Sequence, residues 1–270
     1  MTIHDSAAAA ADAALARAVV YRALSLAFEP PTDAALRDIG ARDRFSVVVA
    51  ALQYLEAAAA SNGLALAASL LESLAIADAQ TLSADYWRLF GHTTRGLICA
   101  CETEYGPDNG FHQPQQLADI AGYYLAFGLR PLTTGEVRPD HIACECEFMD
   151  FLSRKQARLL DGGDADGALD VTRMAERAFL RDHLGRFGRA FGARLASEDR
   201  GGFFGAMGHV LLAFVDEECA RLRIDGGPID LAVRPDVADD TPMACGSGDS
   251  EEPVPLPFHR QDPSLGARHP

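Results

Sequence analysis

The residues best suited to chemistry cluster where one helix begins, at Pro139-Asp140-His141 and the run IACECEFMDFL that follows from Ile142 to Leu152. Asp140 precedes an apolar-periodic run, so we expect it to be the helix N-cap, accepting hydrogen bonds from the free amides of the first turn. His141 would then lie in the first turn, where the positive helix end disfavours its protonated form. A neutral, exposed imidazole at this place can donate and accept at once.

Two carboxylates follow closely, at Glu145 and Glu147. Glu145 shares a helical stripe with Met149, so we expect it at the boundary of the apolar face. Carboxylates beside a buried face need partners, because burying an unpaired charge is costly. The partners are either internal arginines, such as Arg88 or Arg95, or the arginines of a bound peptide.

Acid–base catalysis by a small helical enzyme is one function that these groups permit. It would draw on the acidic loop as well, with four side chains as acid and base: Glu102, Glu104, His141 and Glu145. However, no nucleophile with a base and an orienter is evident, and the sequence has no G-x-S-x-G, P-loop, H-E-x-x-H or Rossmann glycine pattern. We therefore expect no enzyme activity, and we interpret the stretch from Pro139 to Leu152 as a surface that holds another protein chain.

Two C-x-C pairs, Cys99-Ala100-Cys101 and Cys144-Glu145-Cys146, offer another alternative, a carrier of zinc or of an iron–sulfur cluster. If the second pair lies on a helix, its thiols point about 200° apart, because successive residues turn by about 100°. Two such thiols do not face one ion. We therefore expect neither a metal nor another cofactor, and we interpret Cys144 as a small core residue.

The composition argues against several classes of partner. Hydrophobic residues make up 48% of the 270 residues and the formal net charge is −15, so we expect a globular chain that repels nucleic acid and anionic lipid and attracts basic partners. No apolar run approaches the ~18 residues of a membrane span. Met1 to Asp12 lacks the basic and apolar regions of a secretory signal, so we expect a cytoplasmic protein with reduced thiols.

Helical periodicity recurs along most of the chain without a convincing alternating strand, which predicts an all-α fold. We expect a single compact, bundle-like domain over residues 1–225 and a flexible, Pro-rich, acidic tail over residues 226–270, whose apolar area is too small to offset its ordering entropy. Residues 91–110 show little periodicity and predict a long ordered loop. The helices are predicted at residues 8–28, 44–60, 64–77, 83–90, 114–127, 141–160, 166–190 and 202–223.

Three sequence blocks resemble the TorD/DmsD/NarJ family of molybdoenzyme maturation chaperones. Asp85–Phe90 is similar to the family's E-Y-x-x-L-F helix, with Asp in place of Glu. Gln116–Tyr124 followed by Phe127–Leu129 matches its L-A-D-x-x-G-F-Y-x-A-F-G-L helix. Arg138–Leu152 matches its P-D-H-x-x-x-E-x-x-F-M-x-x-L block, the most specific of the three. The loop Glu102–Gly106 resembles the branch that accompanies ethylbenzene, dimethylsulfide, selenate and chlorate enzymes.

The resemblance implies a cytoplasmic chaperone without catalytic turnover, present as a monomer or a homodimer. Its partner would be an unfinished (apo) molybdoenzyme catalytic subunit, bound until the cofactor is loaded and often held by its twin-arginine signal peptide. The family's Pro-Asp-His segment lies in a hinge loop before a helix and is implicated in client recognition. Here that segment maps to Asp140 and His141.

The charge of the chain agrees with that role, since carboxylates bind guanidinium groups in a bidentate geometry. Aromatic side chains near the acidic loop either pack in the core or form a wall for the apolar part of the peptide. The expected client-binding residues are Asp140, His141, Glu145, Glu147, Glu102, Glu104, Tyr105, Tyr86 and Phe90.

Overall fold

The computed structural model describes residues 3–32, 42–57, 62–74, 78–92, 96–107, 112–130, 137–162 and 167–234. Regular structure in these ranges is helical apart from two isolated β-bridges, which confirms the all-α prediction. None of the described helices is both long enough and apolar enough to cross a membrane. The α-helices are α1 (Ile3–Phe28), α2 (Arg42–Glu56), α3 (Gly63–Ser73), α4 (Ala79–Phe90), α5 (His112–Ala126), α6 (Ile142–Gly162), α7 (Ala168–Phe179), α8 (Gly185–Glu198) and α9 (Phe203–Leu222).

Most predicted helices are confirmed within a few residues at each end. α1 ends at Phe28, just before the two prolines at positions 30 and 31, which cannot continue a helix. α4 begins earlier than predicted because Asp78 is its N-cap, with a carboxylate oxygen 2.9 Å from the backbone nitrogen of Thr81. The sequence from 91 to 107 is a loop wherever it is described, with one 3₁₀ turn at Glu102–Glu104.

The predicted helix over residues 166–190 is wrong in two respects, because it is interrupted and because its second part continues to Glu198. Between α7 and α8 the chain forms a π-helical turn, Leu180–Leu184. Gly185 makes this turn possible, since a Cβ at that position would lie 2.4 Å from the carbonyl oxygen of Leu180. Such turns often occur at functional sites, and this one carries the buried His183.

The core is built by helices that pack along one another. α1 lies along α6, α8 lies against α9, and α2 packs on α1 and α3. A side chain would not fit where α8 and α9 cross: a Cβ on Gly192 would lie 2.8 Å from the carbonyl oxygen of Gly208. Tyr21 and Phe214 form an edge-to-face pair 4.7 Å apart, which joins α1 to α9 in the core.

The chain after α9 folds back onto the domain. The backbone nitrogen of Gly227 donates to the carbonyl oxygen of Gly185 at 2.9 Å, and that of Arg234 donates to the carbonyl oxygen of Glu104 at 2.8 Å. Residues 226–234 therefore belong to the packed part of the chain rather than to the predicted tail. The remainder of that predicted tail, residues 235–270, lies outside the described residues.

Candidate functional site

The acidic loop is held on both of its edges, and we call residues 98–107 the clamped loop. On one edge, Cys101 forms a β-bridge with His141, the residue before α6. Two hydrogen bonds of 2.8 Å make this bridge, from the backbone of Glu102 to Asp140 and from Ile142 to Ala100. The loop and the predicted Pro-Asp-His hinge are thus neighbours, as the client-site prediction requires.

The second edge of the clamped loop pairs with the chain that returns after α9. Tyr105 forms a bridge with Val233, and the backbone nitrogen of Gly106 donates to the carbonyl oxygen of Ala232 at 2.9 Å. Gly106 has a φ of +98°, a conformation that favours glycine, so the turn at this edge depends on that residue type. The loop is therefore a rigid element despite its irregular backbone.

Asp140 is fully buried, and the prediction that it caps α6 is wrong. Its Oδ2 accepts from the backbone nitrogen of Thr103 at 3.1 Å and from the Thr103 hydroxyl at 2.8 Å. Asp140 therefore caps the 3₁₀ turn of the clamped loop instead of the helix that follows it in the chain. The cause is the β-bridge, which places the loop closer to the carboxylate than the first turn of α6.

Arg138 completes this contact between the hinge and the loop. Its guanidinium donates from Nε to Asp140 Oδ1 at 3.0 Å and from Nη2 to Asp140 Oδ2 at 2.9 Å. Nη1 reaches Glu104 Oε1 at 3.0 Å, so one arginine neutralises carboxylates from both segments. Bidentate arginine–carboxylate pairs of this kind fix geometry as well as charge.

His141 is the actual N-cap residue of α6, and it is buried rather than exposed as predicted. Its Nδ1 accepts from the backbone nitrogen of Ala143 at 3.2 Å, which places the ring proton on Nε2 when the imidazole is neutral. Burial is the main cause that lowers the pKa of His141 to about 4, with the charge of Arg138 adding to it and that of Asp140 opposing it. The predicted neutral form agrees with this environment.

We expect His141 to remain uncharged between pH 8 and pH 5. Its folded-state pKa lies below the ordinary value of 6.5, so its contribution to stability is present above pH 6.5 and is lost as the pH falls toward about 4. The total loss is on the order of 3 kcal/mol, at about 1.4 kcal/mol per pKa unit. An NMR titration of the imidazole carbons measures this directly. A His141 resonance that titrates near pH 6.5, as an exposed histidine does, would show that the ring is accessible to water.

Glu102 joins the clamped loop to the π turn. Its carboxylate accepts from Arg186 Nε at 2.8 Å and lies 3.0 Å from His183 Nδ1. His183 Nε2 faces the exposed carboxylate of Asp119 on α5 at 3.3 Å. The wide π turn projects His183 toward the loop, and Arg186 follows three residues later on the same face. Glu102, expected to be an open binding residue, is therefore fully buried and paired.

Glu145 is also fully buried, rather than at the boundary of an apolar face as predicted. Neither of its carboxylate oxygens faces a described hydrogen-bond donor. Burial raises its pKa well above the usual value, and the nearby charges of Glu102 and Asp140 raise it further. A protonated Glu145 can donate to Glu102, a hydrogen bond that two ionised carboxylates cannot form. We call Glu102, Glu104, Asp140 and Glu145 the acid cluster.

Glu147 is the one predicted carboxylate of α6 that the structure exposes to solvent, with 57% of its side chain accessible. It pairs with Arg22 of α1 at 3.2 Å. The described partner of Glu147 is therefore an internal arginine, one of the two alternatives suggested from sequence, although it is not Arg88. Arg88 pairs instead with Asp85 and Asp199, and Arg95 lies outside the described residues.

The three aromatic side chains of the predicted site are core residues. Tyr86 and Phe90 lie 4.7 Å apart, and the Tyr86 hydroxyl donates to the carbonyl oxygen of Phe28. Tyr105 donates to the carbonyl oxygen of Cys99 at 2.8 Å. All three are at most 5% exposed, so in this conformation they do not form an open wall for a peptide. Whether the client contacts them stays a prediction.

The cysteines separate on α6 as the helix geometry predicts. Cys146 is fully buried while Cys144 is half-buried, so the core residue of this pair is Cys146 and not Cys144 as predicted. Burial raises the pKa of Cys144 to about 12 and that of Cys101 further, which disfavours the thiolate that binds metal. Within the described ranges, no group of three or more His, Cys, Asp or Glu side chains is placed to hold a metal ion. Cys245 lies outside those ranges.

Sequence reasoning missed the roles of Thr103, Arg138, His183 and Arg186. The i, i+3 spacing of His183 and Arg186 is a usable signal, because it places two basic side chains on one helix face. The spacing does not reveal which carboxylate these two side chains contact. Among 24 Lys and Arg residues and eight histidines, only the packing of the π turn against the loop selects these two.

An all-helical domain with a clamped acidic loop beside a Pro-Asp-His hinge defines a class of protein, and the comparisons with known proteins identify it. The family model described as "Nitrate reductase delta subunit" matches residues 55–193, about half of the chain. The chain belongs to this family, which confirms the resemblance drawn from the three sequence blocks.

A curated relative, the dimethyl sulfide dehydrogenase assembly chaperone protein of Rhodovulum sulfidophilum, is 41% identical over 70 residues. These residues cover 25% of this chain and 27% of the relative, so the similarity spans about a quarter of each protein. No solved structure matches the chain.

Proposed function

We propose that this chain is an assembly chaperone for a molybdenum enzyme. It binds the unfinished catalytic subunit in the cytoplasm, holds it while the cofactor is inserted, and performs no catalytic turnover. The observation that carries the proposal is family membership across residues 55–193, a range that includes the clamped loop and the whole hinge. The similarity to a dimethyl sulfide dehydrogenase assembly chaperone protein supports an oxidoreductase subunit as the client.

The acid cluster suits a positioning role better than an enzymatic one. The four side chains of the acid–base alternative, Glu102, Glu104, His141 and Glu145, are each no more than 8% exposed. An acid–base pair must reach its substrate, but Glu102 and Glu104 face internal arginines, His141 faces a backbone amide, and Glu145 is fully buried. The cluster therefore fixes the distance between the hinge and the clamped loop, and this edge of the molecule is the proposed client site.

We expect the exposed carboxylates around that edge to contact the client directly. Glu147 and Asp119 have 57% and 64% of their side chains accessible, and the chain as a whole carries a charge of −15. A twin-arginine signal peptide offers two guanidinium groups, which such carboxylates attract. Salt should weaken this binding, because exposed pairs are screened. Neither nucleic acid nor a membrane surface fits this charge, and the chaperone acts as a monomer or a homodimer.

The test is capture of the unfinished catalytic subunit. The chain, tagged and expressed with the molybdoenzyme subunit encoded beside it, should co-purify with the cofactor-free form and not with the loaded form. Titration with the subunit's signal peptide should show binding that weakens at least tenfold when both arginines are replaced by glutamine. A chaperone that captures loaded and cofactor-free subunits equally would contradict a role in maturation.

A matched pair of variants locates the site. Glu147→Gln removes an exposed charge near the hinge, whereas Asp85→Asn removes a partly exposed charge on α4. We expect the first to weaken peptide binding several-fold and the second to leave it unchanged. Equal effects of the two substitutions would mean that only the overall charge matters and that the site lies elsewhere.

A further inference from the structure

A separate cleft of about 640 Å³ opens among α1, α6, α7 and α9. Its apolar wall consists of Ala10, Ala13, Leu160, Met174 and Leu222. The volume lies within the range of small-molecule sites, which combine an apolar wall with a few placed polar groups. No residue of the acid cluster or of the clamped loop lines this cleft, so it is distinct from the proposed client site.

Arg17 lines this cleft, and its hydrogen-bonding capacity is not satisfied. It is only 7% exposed, yet its Nε makes no hydrogen bond with any described residue. The nearest carboxylate oxygens, on Glu176 and Glu218, each lie 3.9 Å from Nε, which is an ion-pair distance but too long for a hydrogen bond. A guanidinium has five N–H donors, and buried donors are nearly always satisfied. Arg17 therefore presents at least one unused donor, its Nε–H, in a concave site.

Two further buried side chains of the cleft also have a polar atom without a hydrogen-bond partner. Gln156 of α6 is 2% exposed and its Nε2 has no partner among the described residues. Glu176 of α7 is fully buried, with Oε1 paired to Arg221 at 2.7 Å and Oε2 unpartnered. Three helices thus each contribute one side chain with unused polar capacity to the same cleft, which a single isolated defect of packing does not produce.

The charge balance leaves the cleft cationic. Arg221 binds Glu218 through two hydrogen bonds of 2.7 and 2.8 Å and also binds Glu176. Arg221 and Arg17 together balance these two glutamates, and Arg173 lies 3.9 Å from Asp170, so the positive charge left over at the lining is that of Arg177. In a chain with a net charge of −15, such a concentration of arginines is a local exception.

We propose that this cleft binds a small organic anion. Its carboxylate or phosphate group accepts hydrogen bonds from Arg17 and Gln156, and its apolar body lies against Leu160 and Met174. The unpartnered oxygen of Glu176 accepts from a hydroxyl or amide group on the same ligand. This inference does not depend on the chaperone function, since it rests on a different set of residues.

Calorimetric titration of the full chain tests the proposal with defined probes: phenyl phosphate and benzoate, with inorganic phosphate and phenol as controls for each half of the ligand. We expect one saturable site for phenyl phosphate or benzoate. Inorganic phosphate should bind at least tenfold more weakly, because it lacks the apolar body, and phenol should show no saturable binding, because it lacks the charge.

Substitutions then assign the binding to the cleft. Arg17→Met should weaken binding of the preferred probe at least tenfold, and Gln156→Met several-fold. Arg154→Met is the matched control, because Arg154 lies on the same helix as Gln156 but pairs with Asp150 outside the cleft, and it should leave the affinity unchanged. Gln156→Met breaks no described hydrogen bond, so it remains informative if Arg17→Met does not fold. The proposal fails if neither anion saturates the wild-type chain, or if Gln156→Met binds the probe as tightly as Arg154→Met.

Discussion

Replacing Arg138 with methionine is expected to lower the free energy of unfolding by about 3 kcal/mol, near the lower end of the range for breaking a buried ion pair. Asp140 is fully buried and Glu104 nearly so, and removing the arginine leaves both carboxylates without this cationic partner. The estimate is at the lower end because 31% of the arginine side chain is exposed, so water can partly replace it. For a domain of this size the midpoint of thermal unfolding should fall by roughly 6–12 °C.

Arg22→Met is the matched control for this measurement. Arg22 pairs with one glutamate, Glu147, at a comparable distance of 3.2 Å. Both of these side chains are well exposed. Its loss should cost no more than about 1 kcal/mol. Adding Asp140→Asn to Arg138→Met should recover part of the lost stability, because it removes the orphaned charge. Equal effects of Arg138→Met and Arg22→Met in urea unfolding would mean that the hinge and the clamped loop are held by their backbone bridge alone.

Glu145→Gln is expected to stabilise the chain at neutral and alkaline pH. The amide has the shape of the protonated acid and can donate to Glu102 as that acid does. In the wild type, burial and neighbouring carboxylates raise the folded-state pKa of Glu145 well above 4.5. Folding therefore requires Glu145 to keep a proton that the unfolded chain releases.

The pH dependence has a definite sign. Because the folded-state pKa is raised, the contribution of Glu145 to stability is present below about pH 4.5 and is lost as the pH rises toward the folded-state pKa. The advantage of Glu145→Gln over the wild type should grow across this window by up to about 1.4 kcal/mol per pH unit.

Urea unfolding of both proteins at pH 5, 6, 7 and 8 measures this effect, with Glu147→Gln as the exposed control on the same helix. The control should change stability by less than about 0.5 kcal/mol at every pH. A constant difference between Glu145→Gln and the wild type over pH 5 to 8 would show that Glu145 is ionised in the folded chain.

Features that arise from local sequence could be predicted, and those that depend on distant contacts could not. The end of α1 before two prolines and the loop character of residues 91–92 and 96–107 follow from nearby residue types. The interruption between α7 and α8 does not, because every residue of Leu180–Leu184 is compatible with an ordinary helix. Gly185 permits the wider turn, but the contact of His183 with Glu102 that accompanies it is not evident from the sequence.

Within the candidate site, the role of Asp140 likewise could not be predicted from local sequence. Its position before an apolar run favours an N-cap, and this local rule fails because the clamped loop competes for the carboxylate. His141 takes over the cap, which residue preferences alone would not indicate. The sequence identified where the important residues lie, while their partners depended on a loop almost forty positions earlier in the chain.

The clamped loop also sets an order of events during protein synthesis. Its first edge can pair with the hinge once α6 has left the ribosome, but its second edge needs Ala232 and Val233, which are made only after α9. Pairing the loop with Ala232 and Val233 closes a long stretch of chain, which has an entropic cost. This pairing forms late, when most helices can already be packed. A nascent chain can therefore pack its helices before it has a finished loop, and its proposed client surface is completed only after α9 and the residues that follow it have been made.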